Sequence, residues 1–107
     1  MAKYAVITIN LISKIVELQH MFYDRKLIVT TLTFSKALKR GIDPSILLDN
    51  NVWIRAYSHK PVKISGLDEA DSESVLVAQE LSADLITDDE NVEKIAKKMG
   101  ITVFRYS

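Results

Sequence analysis

Leu67 to Phe104 reads LDEADSESVLVAQELSADLITDDENVEKIAKKMGITVF, and its periodicity decides the fold class. Val75, Leu76, Val77, Ala78 and Leu81 form the apolar side of a helix expected to start near Asp71 and to end near Ala83. Asp84-Leu85-Ile86 is a minimal strand. Thr87-Asp88-Asp89-Glu90 has the form of a capping box, in which the Thr hydroxyl and the Glu three residues on satisfy the first helical amides. The next helix carries Val92, Ile95, Ala96 and Met99 on one face and Glu93, Lys94, Lys97 and Lys98 on the other. Gly100 stops it before a last strand from Ile101 to Phe104. Alternating strands and helices specify a parallel sheet with helices on both faces.

The N-terminal half repeats the pattern. Tyr4 to Ile9 is almost continuously apolar and branched, as suits a central strand covered on both faces. Asn10 is expected to cap an amphipathic helix carrying Leu11, Ile12, Ile15, Leu18 and Phe22. Lys26 to Thr31 reads as a second strand, and Leu32 to Arg40, closed by Gly41, as a helix with a basic last turn. Pro44 suits the first position of a further helical turn. Val52 to Tyr57 reads as a third strand, and residues 58–66 as a polar connection. The expected architecture is one domain over residues 1–107, a three-layer α/β/α fold around a mostly parallel sheet.

Composition narrows the function classes. A chain of 107 residues with 48% hydrophobic and 26% charged side chains, 3 Gly and 2 Pro is rich in regular structure. A chain of this size buries roughly 65% of its unfolded surface, enough for one core. The absence of cysteine removes disulfides, thiolate metal sites and thiol nucleophiles, and points to a cytoplasmic setting. The opening MAKYAVITINLISKIVEL holds an apolar run, but Asn10, Ser13, Lys14 and Glu17 interrupt it and no small-residue cleavage site follows. It is therefore read as neither a signal peptide nor a membrane span. Fourteen basic and fourteen acidic residues cancel, so no large basic field marks a duplex binder.

Open α/β sheets bind ligands beyond the carboxyl ends of their strands, where Asn10, Asp88 and Asp89 fall. Asp71, at a helix start, is placed to face the same crevice. Hard divalent cations such as Mg²⁺ or Mn²⁺ prefer oxygen ligands, and a few carboxylates with an amide oxygen form a reasonable donor set. The same acids also suit helix starts, where they offset the macrodipole, so a purely structural role stands beside the metal role. Glu73 lies two residues from Asp71 on the same helix, a separation that puts it on another face. His20 and His59 form no ligand pattern, and Ser13, Ser35 and Ser72 lack a nucleophile-elbow context. No glycine-rich phosphate loop is present, which also discourages a nucleotide-binding or response-regulator-like domain. Lys36, Lys39 and Arg40 cluster on one helix. Arg55, His59, Lys60 and Lys63 form a second basic stretch interleaved with Trp53 and Tyr57. Each reads either as a solvated face or as a phosphate track with stacking aromatics for single-stranded nucleic acid.

Asp71 to Ala78 followed by Ala83 to Asp89 resembles the acidic helix start, alanine-bearing helix and T-x-D motif of the PIN-domain family. Members of that family are Mg²⁺- or Mn²⁺-dependent ribonucleases, including toxins of prokaryotic toxin–antitoxin pairs. Val6-Ile7-Thr8-Ile9-Asn10-Leu11-Ile12 resembles the family's opening V-I-D-T-N-x-L, with Thr8 in place of the first catalytic aspartate and Asn10 keeping the amide. The family's next acid, a glutamate on the helix after the second strand, has no counterpart between Thr33 and Arg40, where Ser35, Lys36 and Lys39 stand. The resemblance implies catalytic and metal-ligand roles for Asp71 and Asp89, an auxiliary metal role for Asp88, and polar support from Asn10; Thr8, where the family has its aspartate, inherits no defined role and is taken as polar support beside Asn10. RNA contact would fall to Lys36, Lys39 and Arg40. Two readings follow. One is a weak, metal-dependent endonuclease for single-stranded RNA. The other is a PIN-like module that has lost catalysis and binds RNA or a small antitoxin-like protein, as a homodimer.

Overall fold

The computed structural model describes residues 3–60 and 62–106. Met1 and Ala2 of the opening run, Pro61 of the polar connection, and Ser107 lie outside the described residues. Five strands, β1 (Tyr4–Ile7), β2 (Lys26–Thr30), β3 (Trp53–Arg55), β4 (Asp84–Thr87) and β5 (Val103–Arg105), form one sheet in the order β3-β2-β1-β4-β5. Every neighbouring pair is parallel. Helices α1 (Ile15–Met21), α2 (Thr31–Lys39), α3 (Ser45–Asp49), α4 (Glu69–Leu81) and α5 (Glu90–Lys98) connect and cover the strands.

The apolar runs of β1 and β2 and the Leu85-Ile86 pair of β4 follow from this central position. Alternate residues of a strand face opposite layers. Ala5, Ile7, Leu27, Val29 and Ile86 therefore meet Ile12, Ile15, Leu18, Ala37 and Leu47 on one side. Val6, Ile28 and Leu85 meet Val75, Val77, Ala78, Val92 and Ala96 of α4 and α5 on the other. The three-layer α/β/α arrangement expected from the sequence is the one observed. Among the described residues no helix is long and apolar enough to cross a membrane.

The local boundaries differ in ways that matter for the site. Asn10 does not cap an α-helix. The chain tightens into a 3-10 turn, Ile9–Lys14, directly after β1, and only Ile15–Met21 is α-helical. The turn starts with the Leu11 amide donating to the Thr8 carbonyl at 3.1 Å, which drives Leu11 and Ile12 into the core and releases the Asn10 side chain. α4 begins earlier than expected. Asp68 is its cap, accepting from the Asp71 amide at 2.8 Å, so Asp71 sits inside the first turn. The capping box at Thr87 is likewise displaced. β4 runs one residue further than the sequence suggested and draws Thr87 into the sheet opposite Arg105. Asp89 then becomes the cap, its Oδ1 accepting from the amides of Asn91 and Val92. β5 starts at Val103 and not Ile101, because Gly100, at φ +82°, turns the chain so that the Ile101 amide donates back to Ala96 at 3.1 Å.

Candidate functional site

The connection from β1 runs to β2 on one side, while β4 lies on its other side. The strand order therefore reverses between β1 and β4, and a crevice opens beyond their carboxyl ends. Thr8 and Asn10 follow β1 there, and Thr87, Asp88 and Asp89 end or follow β4. Thr8 is 3% exposed and its hydroxyl donates to the Thr87 hydroxyl at 2.9 Å. The Thr87 oxygen also accepts from the Asp89 amide at 3.2 Å, so the floor between the two strands is a chain of hydroxyls and carries no charge. Above it, Asn10 Nδ2 donates to Asp88 Oδ2 at 3.1 Å, and Asn10 Oδ1 accepts from Arg40 Nη1 at 3.3 Å. Asn10 is thereby a bridge from α2 to the β4 loop.

α4 supplies Asp71 to the same crevice. Burial pushes its carboxyl up from the usual 3.8 to about 6. The carboxylates of Asp68, Asp89 and Asp88 act in the same direction, and the Lys36 ammonium opposes them. Asp68 behaves differently. Burial would raise it, but the Asp71 amide and the Lys36 ammonium, at 2.6 Å from Oδ2, hold it below the ordinary range. Asp68, Asp88 and Asp89 are thus close enough to Asp71 for their charges to act on its carboxyl.

α2, which carries the basic cluster, is fixed at its start by buried contacts. Thr30, Thr33 and Ser74 join their hydroxyls in a closed triangle, with separations of 3.1, 3.2 and 3.3 Å. Glu73, on a face of α4 away from Asp71, accepts from the Leu32 amide at 2.8 Å and the Thr31 hydroxyl at 2.9 Å. Its carboxylate holds the positive end of α2 and is no substitute ligand in the crevice. Lys36 then projects toward Asp68, and a groove of about 320 Å³ lined by Leu32, Ser35, Lys36, Lys39, Asp68, Glu69 and Ala70 runs alongside. The second basic stretch is solvent-facing at Arg55, His59, Lys60 and Lys63. Its Trp53 packs against Tyr4 at 5.8 Å with Lys26 over its ring at 5.0 Å, and so serves the sheet edge.

Several of the crevice oxygens that a Mg²⁺ or Mn²⁺ ion would need already accept hydrogen bonds. Asp88 Oδ2 is engaged by Asn10, Asp89 Oδ1 by two amides, and Asp68 by Lys36 and the Asp71 amide. Among the described residues no three His, Asp or Glu side chains come together to hold a metal ion. The residues present do not fit a resident divalent cation, since such ions need several converging oxygens. Sequence reasoning missed Asp68 and the partnership of Lys36. The Asp-x-x-Asp spacing of Asp68 and Asp71 made either acid eligible as the cap, and nothing local linked Lys36 to this turn.

The capping role of Asp89 gives a direct test. Asp89→Ala removes the oxygen that satisfies two amides of α5 and is expected to cost about 1 kcal/mol, whereas Asp89→Asn keeps an acceptor and costs a few tenths. Urea unfolding of both variants would show it, and equal losses would remove the cap from the account of Asp89.

No protein-family model matches the chain, and no curated protein does. Among solved structures the chain is similar to a PilT N-terminus domain protein from the hyperthermophilic archaeon Sulfolobus solfataricus P2. The two share 39% identity over 95% of this chain and 86% of that one, with a TM-score of 0.86. A domain of a functionally unknown protein from Methanocaldococcus jannaschii DSM 2661 is 20% identical over 99% of this chain and 92% of that one. Its TM-score of 0.70 marks a shared fold. With the strand order, the acids at the β4 end and the extent of the first of these likenesses, the chain belongs to the PilT N-terminus, or PIN, domain family.

Proposed function

We propose that this PIN domain works by binding a partner, with efficient phosphodiester hydrolysis lost. The observation that carries the reading is the composition of the crevice. Thr8 supplies a buried hydroxyl where the family has an aspartate, Lys36 is the charged residue that α2 directs at Asp68, and both oxygens of Asp68 and one each of Asp88 and Asp89 are engaged by donors of the protein itself. A phosphodiester brought here would meet carboxylates with no dication between them, and like charges repel strongly at short range. A cationic side chain of a protein partner would meet complementary charge. Net charge adds no long-range attraction for RNA, because it is formally zero. Of the basic cluster, Lys36 is paired with Asp68 and Arg40 with Asn10, leaving only Lys39 without a partner among the described residues. The occupant favoured is a basic segment of a protein, in keeping with the small antitoxin-like partner that the family implies.

A residual ribonuclease is the second reading. It is favoured by Asp71, a carboxylate in a negative environment with no hydrogen bond among the causes that set its pKa. Incubation of a mixed-sequence single-stranded RNA with the parent, Asp71→Asn and Asp89→Asn in Mn²⁺ separates the two. The expected result is no cleavage by the parent beyond that of the variants. A labelled Lys/Arg-rich peptide should then bind more tightly than the RNA at equal ionic strength, and Asp71→Asn should weaken it severalfold. Cleavage by the parent that disappears in Asp71→Asn and in chelator would establish the nuclease instead.

A further inference from the structure

Because the sheet is parallel throughout, the starts of β1, β2 and β3 lie side by side at its amino end, away from the crevice. Lys3 precedes β1, Arg25 precedes β2 and Lys26 opens it. The Lys26 amide donates to the Lys3 carbonyl at 2.9 Å, so the two lysines stand on adjacent strand starts. Gln19 of α1 donates to the Asn50 carbonyl, which brings the end of α1 against the turn before β3. These segments frame a cavity of about 540 Å³ whose lining includes Lys3, Arg25, Lys26, Tyr23, Asn51 and one acid, Asp24. Its volume lies in the range of roughly 300–1,000 Å³ usual for small-ligand sites. The cations are only partly neutralised. Neither lysine is in an ion pair among the described residues, and Lys26 lies instead over the Trp53 ring at 5.0 Å. Arg25 is drawn to Asp84 at 2.7 Å, yet its Nε is buried without a well-directed hydrogen bond. The one hydrogen bond of its guanidinium among the described residues runs from Nη1 to the exposed Asp24 at 3.3 Å.

We propose that this cavity binds a nucleotide, with Lys3, Arg25 and Lys26 holding its phosphate and the Tyr23 ring stacking on its base. A free nucleoside monophosphate and the 5′-phosphorylated end of a single-stranded RNA present the same chemistry. The site is separate from the crevice and does not depend on the reading given to it. Three features support the assignment. A guanidinium has five donors, and most of those of Arg25 are unspent; oxyanions take such donors in pairs of parallel hydrogen bonds. A phosphate monoester carries a charge of about −1.5 to −2 at pH 7, which suits two unpaired lysines beside a guanidinium already balanced by aspartates. Tyr23, in the turn before Arg25, is 86% exposed, so its ring offers a flat apolar surface at the rim of the basic group.

Calorimetric titration of the whole chain with inorganic phosphate and with adenosine monophosphate, at fixed ionic strength and without divalent ions, tests the assignment. The parent is expected to bind adenosine monophosphate with a Kd below about 1 mM, and inorganic phosphate about tenfold more weakly because it has no base to stack. Tyr23→Ala should abolish that preference and leave phosphate binding unchanged. Lys3→Gln and Lys26→Gln should each weaken both probes about fivefold or more. Tyr23 and Lys3 are exposed, so their variants should fold, and thermal unfolding checks all three. Arg25 is left in place because its pair with Asp84 supports the sheet. A short oligoribonucleotide with and without a 5′-phosphate identifies the source. Tighter binding of the phosphorylated strand than of the mononucleotide assigns the site to an RNA end, and equal or weaker binding assigns it to the free nucleotide. No saturable binding of either small probe up to about 10 mM would overturn the inference, as would binding that Lys3→Gln and Lys26→Gln leave unchanged. Adenosine monophosphate that binds no better than inorganic phosphate would overturn the stacking role of Tyr23 and the nucleotide with it.

Discussion

Asp84→Ala is expected to destabilise the fold by about 3–5 kcal/mol, the usual cost of leaving one charge of a buried pair without its partner. Asp84 opens β4 beside Ala5 of β1, and Arg25 stands just before β2, so their contact reaches across β1 and ties β2 to β4 at the amino end of the sheet, opposite the crevice. Arg25 Nε lies 2.7 Å from Asp84 Oδ2, with side-chain exposures of 15% and 9%. The Nε is nevertheless without a well-directed hydrogen bond, so charge holds the pair more than geometry does. The guanidinium also lies 5.3 Å from the Phe22 ring and 5.5 Å from the Phe104 ring, which meet edge to face at 5.2 Å. Removing Asp84 leaves the guanidinium beside the two rings with the exposed Asp24 carboxylate, 3.3 Å from Nη1, as its remaining counter-charge among the described residues. Replacing both partners, as in Arg25→Met with Asp84→Leu, should recover most of the loss, because the desolvation cost of both charges disappears together. Thermal unfolding should show a drop of roughly 12–20 °C for the single variant, at about 4 °C per kcal/mol for a domain of this size. A single variant within a few degrees of the parent would mean the pair is screened by water and contributes little.

That pair also marks the limit of what the sequence disclosed. α5 was legible because Val92, Ile95, Ala96 and Met99 repeat at helical spacing and Gly100 closes the helix, β1 because a strand buried on both faces is almost continuously apolar, and β4 because Leu85-Ile86 stands between two well-signalled helices. The 3-10 turn after β1 was not. Over a single turn, the spacing of Leu11, Ile12 and Ile15 suits both periods, and tertiary burial of Leu11 and Ile12 decided between them. Thr87 and Asp89 are both favoured caps, and pairing of Thr87 with β5 settled the choice. In the site, the gathering of Asp71, Asp88 and Asp89 near one crevice followed from strand ends alone, since topology places those ends together. Their engagement did not follow. Whether a carboxylate faces a metal, an amide or a lysine depends on partners far away in the chain, as Lys36 is from Asp68 and Arg25 from Asp84.

Asp71→Asn is expected to make the protein more stable at neutral pH, which is the reverse of what removal of a structural side chain does. Burial, and after it the carboxylates around Asp71, move its pKa from 3.8 to about 6, so the folded state favours the proton. Stability from that preference is complete at low pH, where Asp71 is protonated in both states. It falls as pH rises from about 4, because the unfolded chain gives up the proton first, and it has gone once pH passes about 6. The displacement corresponds to about 3 kcal/mol at full strength. Partial exposure of the side chain and solvent screening reduce the expected gain from the neutral amide to about 1–2 kcal/mol at pH 7.5. Near pH 4 the variant and the parent should be equal. Urea unfolding of both at pH 4, 5.5 and 7.5 measures the difference, and a variant no more stable than the parent at pH 7.5 would show that water or Lys36 already neutralises the site. A variant more stable than the parent at pH 7.5 and equal to it at pH 4 would show that the Asp71 carboxylate costs the fold stability where it stands, which is the behaviour expected of a group placed for binding.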